Sequence, residues 1–119
     1  SNERIARKIV EMGYSKERIT ADSAEPKSID RLRELGLYHI RAARKGKDSI
    51  SNGIDFLQDY HFVIHPRCVN FLTEISNYTW DTDKLGNKVG KPIDDFNHLM
   101  DAMRYGCEGE MRGATFSFD

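Results

Sequence analysis

ITADSAEPKSIDRLRELG, residues 19–36, decides the fold. Ile19-Thr20-Ala21 is a short apolar run ending in an acid, and Arg18 to Asp22 reads as a strand. Pro26 suits the first turn of a helix, where its missing N–H costs nothing. Ile29, Leu32 and Leu35 recur at helical spacing, and Gly36 closes the helix. Tyr38 to Ala43 then reads as a second strand. Strand, helix and strand in this order predict an α/β fold with a mainly parallel sheet.

Outward from this unit the punctuation continues. Residues 3–13 carry Ile5, Ile9, Val10 and Met12 on one helical face ending at Gly13. Asp48 or Ser49 caps a helix bearing Ile50, Ile54, Phe56 and Leu57. His61 to His65, ended by Pro66, is a third strand, and Val69, Leu72 and Ile75 mark a further helix. Asn77 to Trp80 suggests a strand, and LGNKVG, residues 85–90, a hairpin tip or loop. Pro92 and Asp94 open a last helix over about 94–106, with Asp94 and Asp95 as cap and first-turn acids and Asn97 positioning the motif that follows. The tail ATFSFD reads as weakly strand-like or disordered. A sheet of three strands under this many helices is small.

With 119 residues and a hydrophobic fraction of 39%, the chain holds one domain at most, with a modest core. No apolar run approaches the ~20 residues that cross a bilayer, and no signal-peptide pattern is present. Cys68 and Cys107 lack metal-ligand spacing and read as reduced intracellular thiols. The net charge of −1 argues mildly against tight nucleic-acid binding by this chain alone. Within it, RAARKGK places Arg41, Arg44, Lys45 and Lys47 together without an acid. That run reads either as a solvated loop or as a phosphate-contacting segment.

Several residues are candidates for chemistry. Asp22 is a turn or helix cap, or a ligand at a strand's carboxyl end, where α/β sites lie. Glu25 is a first-turn acid with a supporting position near Asp22. His98 and Asp101 stand three residues apart, on one face of a helix. Asp101 lies between Leu99, Met100, Ala102 and Met103, so it is either solvated or a buried carboxylate that demands a cation. Two carboxylates and an imidazole, if they converge, suit a hard divalent ion. Arg104 and Tyr105 read as packing or pairing residues, Tyr78 and Trp80 as packing aromatics. His39, His61 and His65 show no metal-like spacing.

ADSAEPKSIDRLRELG, KGKDSISNGIDFL and DDFNHLMDAMRYG, in that order, resemble the C-terminal nuclease domain of tailed-phage large terminase subunits. The likeness runs from about Ile19 to Tyr105. It implies an RNase H-like fold, with a mixed or parallel sheet flanked by helices. It implies a metal-dependent endonuclease that cuts concatemeric double-stranded viral DNA with little sequence preference. Asp22, Asp101 and His98 would be the catalytic and metal-binding residues, holding Mg²⁺ or Mn²⁺, two ions in the intact domain. Arg41, Arg44, Lys45 and Lys47 would contact DNA. The resemblance further implies the small terminase subunit, the portal protein and a fused ATPase domain as partners, no membrane, and action in the cytoplasm of the bacterial host of a phage or prophage.

The family carries another catalytic aspartate on its first strand, upstream of the matched region. Residues 1–119 instead open with a helix and hold no GxxxxGK[ST] phosphate loop. The chain is therefore expected to be a nuclease-domain fragment lacking the first strand or strands and the ATPase half, with Ser1-Asn2 an expression remnant. An unpaired edge on the Arg18 to Asp22 strand would favour self-association. A non-catalytic α/β interaction module, or another RNase H-like enzyme such as a resolvase or transposase, is the alternative.

Overall fold

The structure, a computed structural model, describes residues 1–115, with side chains through residue 111. The chain divides into two compact units, residues 1–45 and 46–119.

In the first unit, α1 (Asn2–Glu11) precedes β1 (Ile19–Ala21), α2 (Pro26–Glu34) and β2 (Ile40–Ala42). Both helices end in the same way. After α2, Gly36 adopts φ +110°, its N–H bonds the Arg33 carbonyl, and the Leu37 N–H bonds the Leu32 carbonyl. After α1, Gly13 at φ +84° makes the corresponding turn, with the Tyr14 N–H on the Ile9 carbonyl. Left-handed φ is open to glycine at little steric cost, and the paired bonds satisfy the helix's orphan carbonyls. The α2 turn drives Leu37 inward. Its side chain is fully buried, in a core with Ala6, Ile29, Leu32 and Ile40.

Strands β1 and β2 run parallel, with Ile19 opposite Ile40 and Ala21 opposite Ala42. Parallel pairing needs a crossover, and α2 supplies it. The expected strand–helix–strand unit is thus present, with strands of three residues each.

The second unit holds α3 (Ser49–Gln58), α4 (Val69–Asn77), the hairpin β3 (Trp80–Thr82) and β4 (Lys88–Pro92), α5 (His98–Gly106) and α6 (Glu108–Thr115). Its hairpin is antiparallel. Asp83 makes the turn: its Oδ1 accepts from the Leu85 and Asn87 amides, both at 2.9 Å. Leu57 and Met100 are buried here, and α5 packs against α3 and α4.

Several expectations are corrected. There is no three-stranded sheet; the described residues form two separate two-stranded sheets. Residues 61–65 are not a strand: they pair with no other strand, and Val63 is 91% exposed. The strand expected at residues 77–80 lies later, at Trp80–Thr82, because α4 runs on through Asn77. In 85–90, Lys88, Val89 and Gly90 belong to β4 rather than to the hairpin tip. Asp48 stands at the N-cap of α3 with φ +62° and no side-chain cap bond. The last expected helix begins at His98, not 94; Asp94 instead accepts from Asn97 at 3.1 Å, and Asp95 from the Phe96 amide. Ala114 and Thr115 are helical rather than strand-like, and residues 116–119 of the expected tail lie outside the described residues.

Candidate metal centre

Because β1 and β2 are parallel, their carboxyl ends lie on one side, where sites in α/β folds form. Asp22 follows β1 directly, and residues 43–45 follow β2. The register brings them together: Lys45 Nζ lies 2.7 Å from Asp22 Oδ1. The same oxygen accepts from the Ala24 amide at 3.2 Å, so Asp22 does close the turn into α2. The Lys45 ammonium, then the Ala24 N–H, hold the Asp22 carboxyl below its usual range. The basic segment is thereby partly explained. Lys45 serves an acid of its own chain, Arg41 and Arg44 also make polar or charged contacts, and Lys47 is exposed. Glu25 is the N-cap residue of α2 and accepts from the Ser28 hydroxyl at 2.9 Å.

A carboxyl whose folded pKa is lowered contributes stability above its unfolded pKa and loses it as pH falls through the folded value. For Asp22, more than half exposed, the effect is small. Lys45→Met is expected to raise the Asp22 pKa, read from its carboxyl carbon by NMR titration. An unmoved titration would mean that the ion pair does not form in solution.

The second unit carries His98 and Asp101 on α5. His98 is the first residue of the helix and is exposed; Asp101 is one turn on and half-buried. The cation that Asp101's apolar neighbours demand is Arg104. Its Nη2 lies 2.6 Å from Asp101 Oδ1, with side-chain exposures of 9% for Arg104 and 31% for Asp101. Burial pushes the Tyr78 phenol up, the Asp101 charge pushes it further, and Arg104 opposes.

The start of α5 is held from a distance. Asn97 occupies the N-cap without a side-chain cap bond. Glu74 of α4 instead accepts the Leu99 N–H at 2.8 Å. A carboxylate here satisfies an orphan amide and meets the positive end of the helix dipole. Glu74→Ala is expected to cost about 1 kcal/mol in urea unfolding, and Glu74→Gln, which keeps the acceptor, less. Equal losses for both variants would show that charge, not the bond, matters. Neither Glu74 nor Lys45's pairing role was legible in sequence, since each partner lies more than twenty residues away.

The donor set suits a hard divalent ion, which takes carboxylate oxygens and accepts imidazole less readily. The Lys45 and Arg104 contacts both fall on Oδ1, and a carboxylate offers lone pairs on both oxygens. Each acid therefore keeps ligand capacity. Within neither unit do the described residues gather three or more His, Cys, Asp or Glu side chains as a metal cluster. His39 and His61 are exposed, and His65 Nδ1 accepts from the Arg67 amide at 3.0 Å. Cys68 is exposed and Cys107 half-buried. No helix among the described residues is long and apolar enough to cross a membrane.

The family described as terminase RNAseH like domain matches residues 1–108. A terminase large subunit of Bacillus phage SPP1 is 41% identical over 102 residues, covering 83% of this chain and 24% of the relative. A terminase large subunit of Escherichia phage T5 is 31% identical over 107 residues, covering 84% of this chain and 24% of the relative. The chain thus spans about a quarter of the length of these relatives. The crystal structure of the large terminase nuclease domain from bacteriophage SPP1 with bound Mn superposes with a TM-score of 0.83 at 38% identity, covering 92% of this chain and 64% of that one.

Proposed function

Since the chain belongs to the terminase RNAseH-like domain family, we propose that it is part of a metal-dependent endonuclease that cuts concatemeric double-stranded phage DNA during packaging. The observation that supports this reading is the placement of Asp22 at the carboxyl end of β1 and of exposed His98 and half-buried Asp101 in the first turn of α5. Carboxylates and an imidazole are donors that a divalent ion accepts, and a solved relative at 38% identity is described with bound Mn.

Asp22 in the first unit and Asp101 in the second are the carboxylates that would supply oxygens for Mg²⁺ or Mn²⁺, one or two ions, and His98 precedes Asp101 by three residues on α5. When bound, such an ion polarises the phosphodiester and lowers the pKa of the attacking water. The protein's own part is to hold the two carboxylates and to keep His98 exposed, where its imidazole orients a ligand or gives a proton to the leaving oxygen. Arg41, Arg44, Lys45 and Lys47 contact backbone phosphate without reading bases. Further strands, bearing another aspartate, and an ATPase domain belong to the longer subunit, which works with the small terminase subunit and the portal in the host cytoplasm.

A second reading has an observation of its own: both acids already carry an internal cation. It describes a unit that folds and binds metal weakly but does not cut alone. Plasmid cleavage in Mn²⁺ by the chain alone separates the two readings, and the site they share is tested by Mn²⁺ titration of the chain with Asp22→Ala and Asp101→Ala. Weaker binding in each supports the site, and unchanged affinity in both removes it.

A further inference from the structure

Among the described residues, three Arg–carboxylate pairs share i,i+3 spacing on a helix, and one is unlike the others. Arg31–Glu34 and Arg33–Asp30 sit at 3.2 Å with every side chain at least 45% exposed. Arg104–Asp101 sits at 2.6 Å, with the Arg104 side chain only 9% exposed. Exposed pairs of this kind contribute little. A guanidinium taken out of water is costly, and apolar residues in its place are often neutral or stabilising. Packing alone therefore does not account for it.

Arg104 is also wedged. Gly53, buried on α3, leaves it room: a Cβ added there would stand 3.0 Å from Arg104 Cδ and 3.4 Å from Cγ. The Arg104 guanidinium carbon lies 5.4 Å from the Tyr105 ring centre. Arg104 also lines a cavity of about 150 Å³ with Leu57, Tyr78, Met100 and Met103 among others. Its Nε is buried without a hydrogen-bond partner. The group's direction is thus set by its seat and by a single strong bond, not by a saturated network.

We infer that Arg104 is the positioning residue of the metal centre: seated against Gly53, it grips Asp101 Oδ1 and so presents the other carboxylate oxygen to the cation. This rests on the reading of Asp101 as a ligand. A planar fork fixes an angle as well as a distance, which a lysine ammonium cannot.

The test is Mn²⁺ affinity of the chain, measured by calorimetry and by loss of the free-Mn²⁺ EPR signal, beside thermal unfolding. Arg104→Gln is expected to weaken binding about tenfold, the usual size for a residue that orients a ligand. Arg104→Lys recovers only part of the loss. Gly53→Ala, which changes no charge, weakens binding too. If Arg104→Gln does not fold, the lysine and alanine variants decide. Parent-like or tighter binding in Arg104→Lys and Gly53→Ala overturns the inference. Should Asp101→Ala also bind as the parent does, the metal reading itself fails; loss in Asp101→Ala with no change in the others removes only the role of Arg104.

Discussion

Asp101→Ala is expected to abolish Mn²⁺ binding by this chain and DNA cleavage by the longer protein proposed above, and to destabilise the fold. The first effect follows from losing a ligand oxygen. The second follows from Arg104, whose side chain is 9% exposed and bonded to Asp101 at 2.6 Å. Without the carboxylate, the buried guanidinium loses the one counter-charge it bonds among the described residues. Breaking a fully buried pair costs ~3–5 kcal/mol, and the partial exposure of Asp101 reduces this to roughly 2–3 kcal/mol. Asp101→Asn separates the two effects. Its amide oxygen still accepts from Arg104, so most stability returns while metal binding stays lost. Equilibrium urea unfolding and Mn²⁺ calorimetry on both variants check this. An Asp101→Ala protein as stable as the parent would mean that the ion pair is not formed in solution.

Leu37→Ala is expected to give the largest loss of stability in residues 1–45. Leu37 is fully buried, and the turn at Gly36 ties its backbone to Leu32 while its side chain packs among Ala6, Ile29, Leu32 and Ile40. Truncation removes apolar burial and leaves a cavity that helix ends fixed by hydrogen bonds cannot close. The cost is about 2–5 kcal/mol, a large share of a small domain's stability. Denaturant unfolding reads it as a lower midpoint. A cost under ~1 kcal/mol would show that this core relaxes around the gap.

The sequence was most legible where punctuation and periodicity agree. Pro26 and Gly36 bracket α2, Gly13 closes α1, and the alternation of strand and helix announces a parallel pair. It misled where local pattern lacked a partner. Residues 61–65 have strand composition, yet a strand exists only through pairing, and none reaches them. Asp94 and Asp95 look like helix caps, but Phe96 at φ +52° separates them from the helix, and the acid that meets α5 is Glu74. Two glycines, at 109 and 113, hid α6. Of the proposed ligands, His98 and Asp101 share the start of α5, as their spacing predicts, and Asp22 directly follows β1. The cationic partners of the two acids were not equally legible: Arg104 lies one helical turn from Asp101, whereas Lys45 reaches Asp22 only through the parallel register.

The most direct measurement is cleavage of supercoiled plasmid in Mn²⁺ by this chain extended upstream as proposed above, run beside its Asp101→Ala variant and beside the chain alone. The account predicts nicking and linearisation by the extended protein, none by the Asp101 variant, and little or none by the 119 residues themselves. Undiminished cutting by the Asp101→Ala protein, or no cutting by the extended parent, would contradict it.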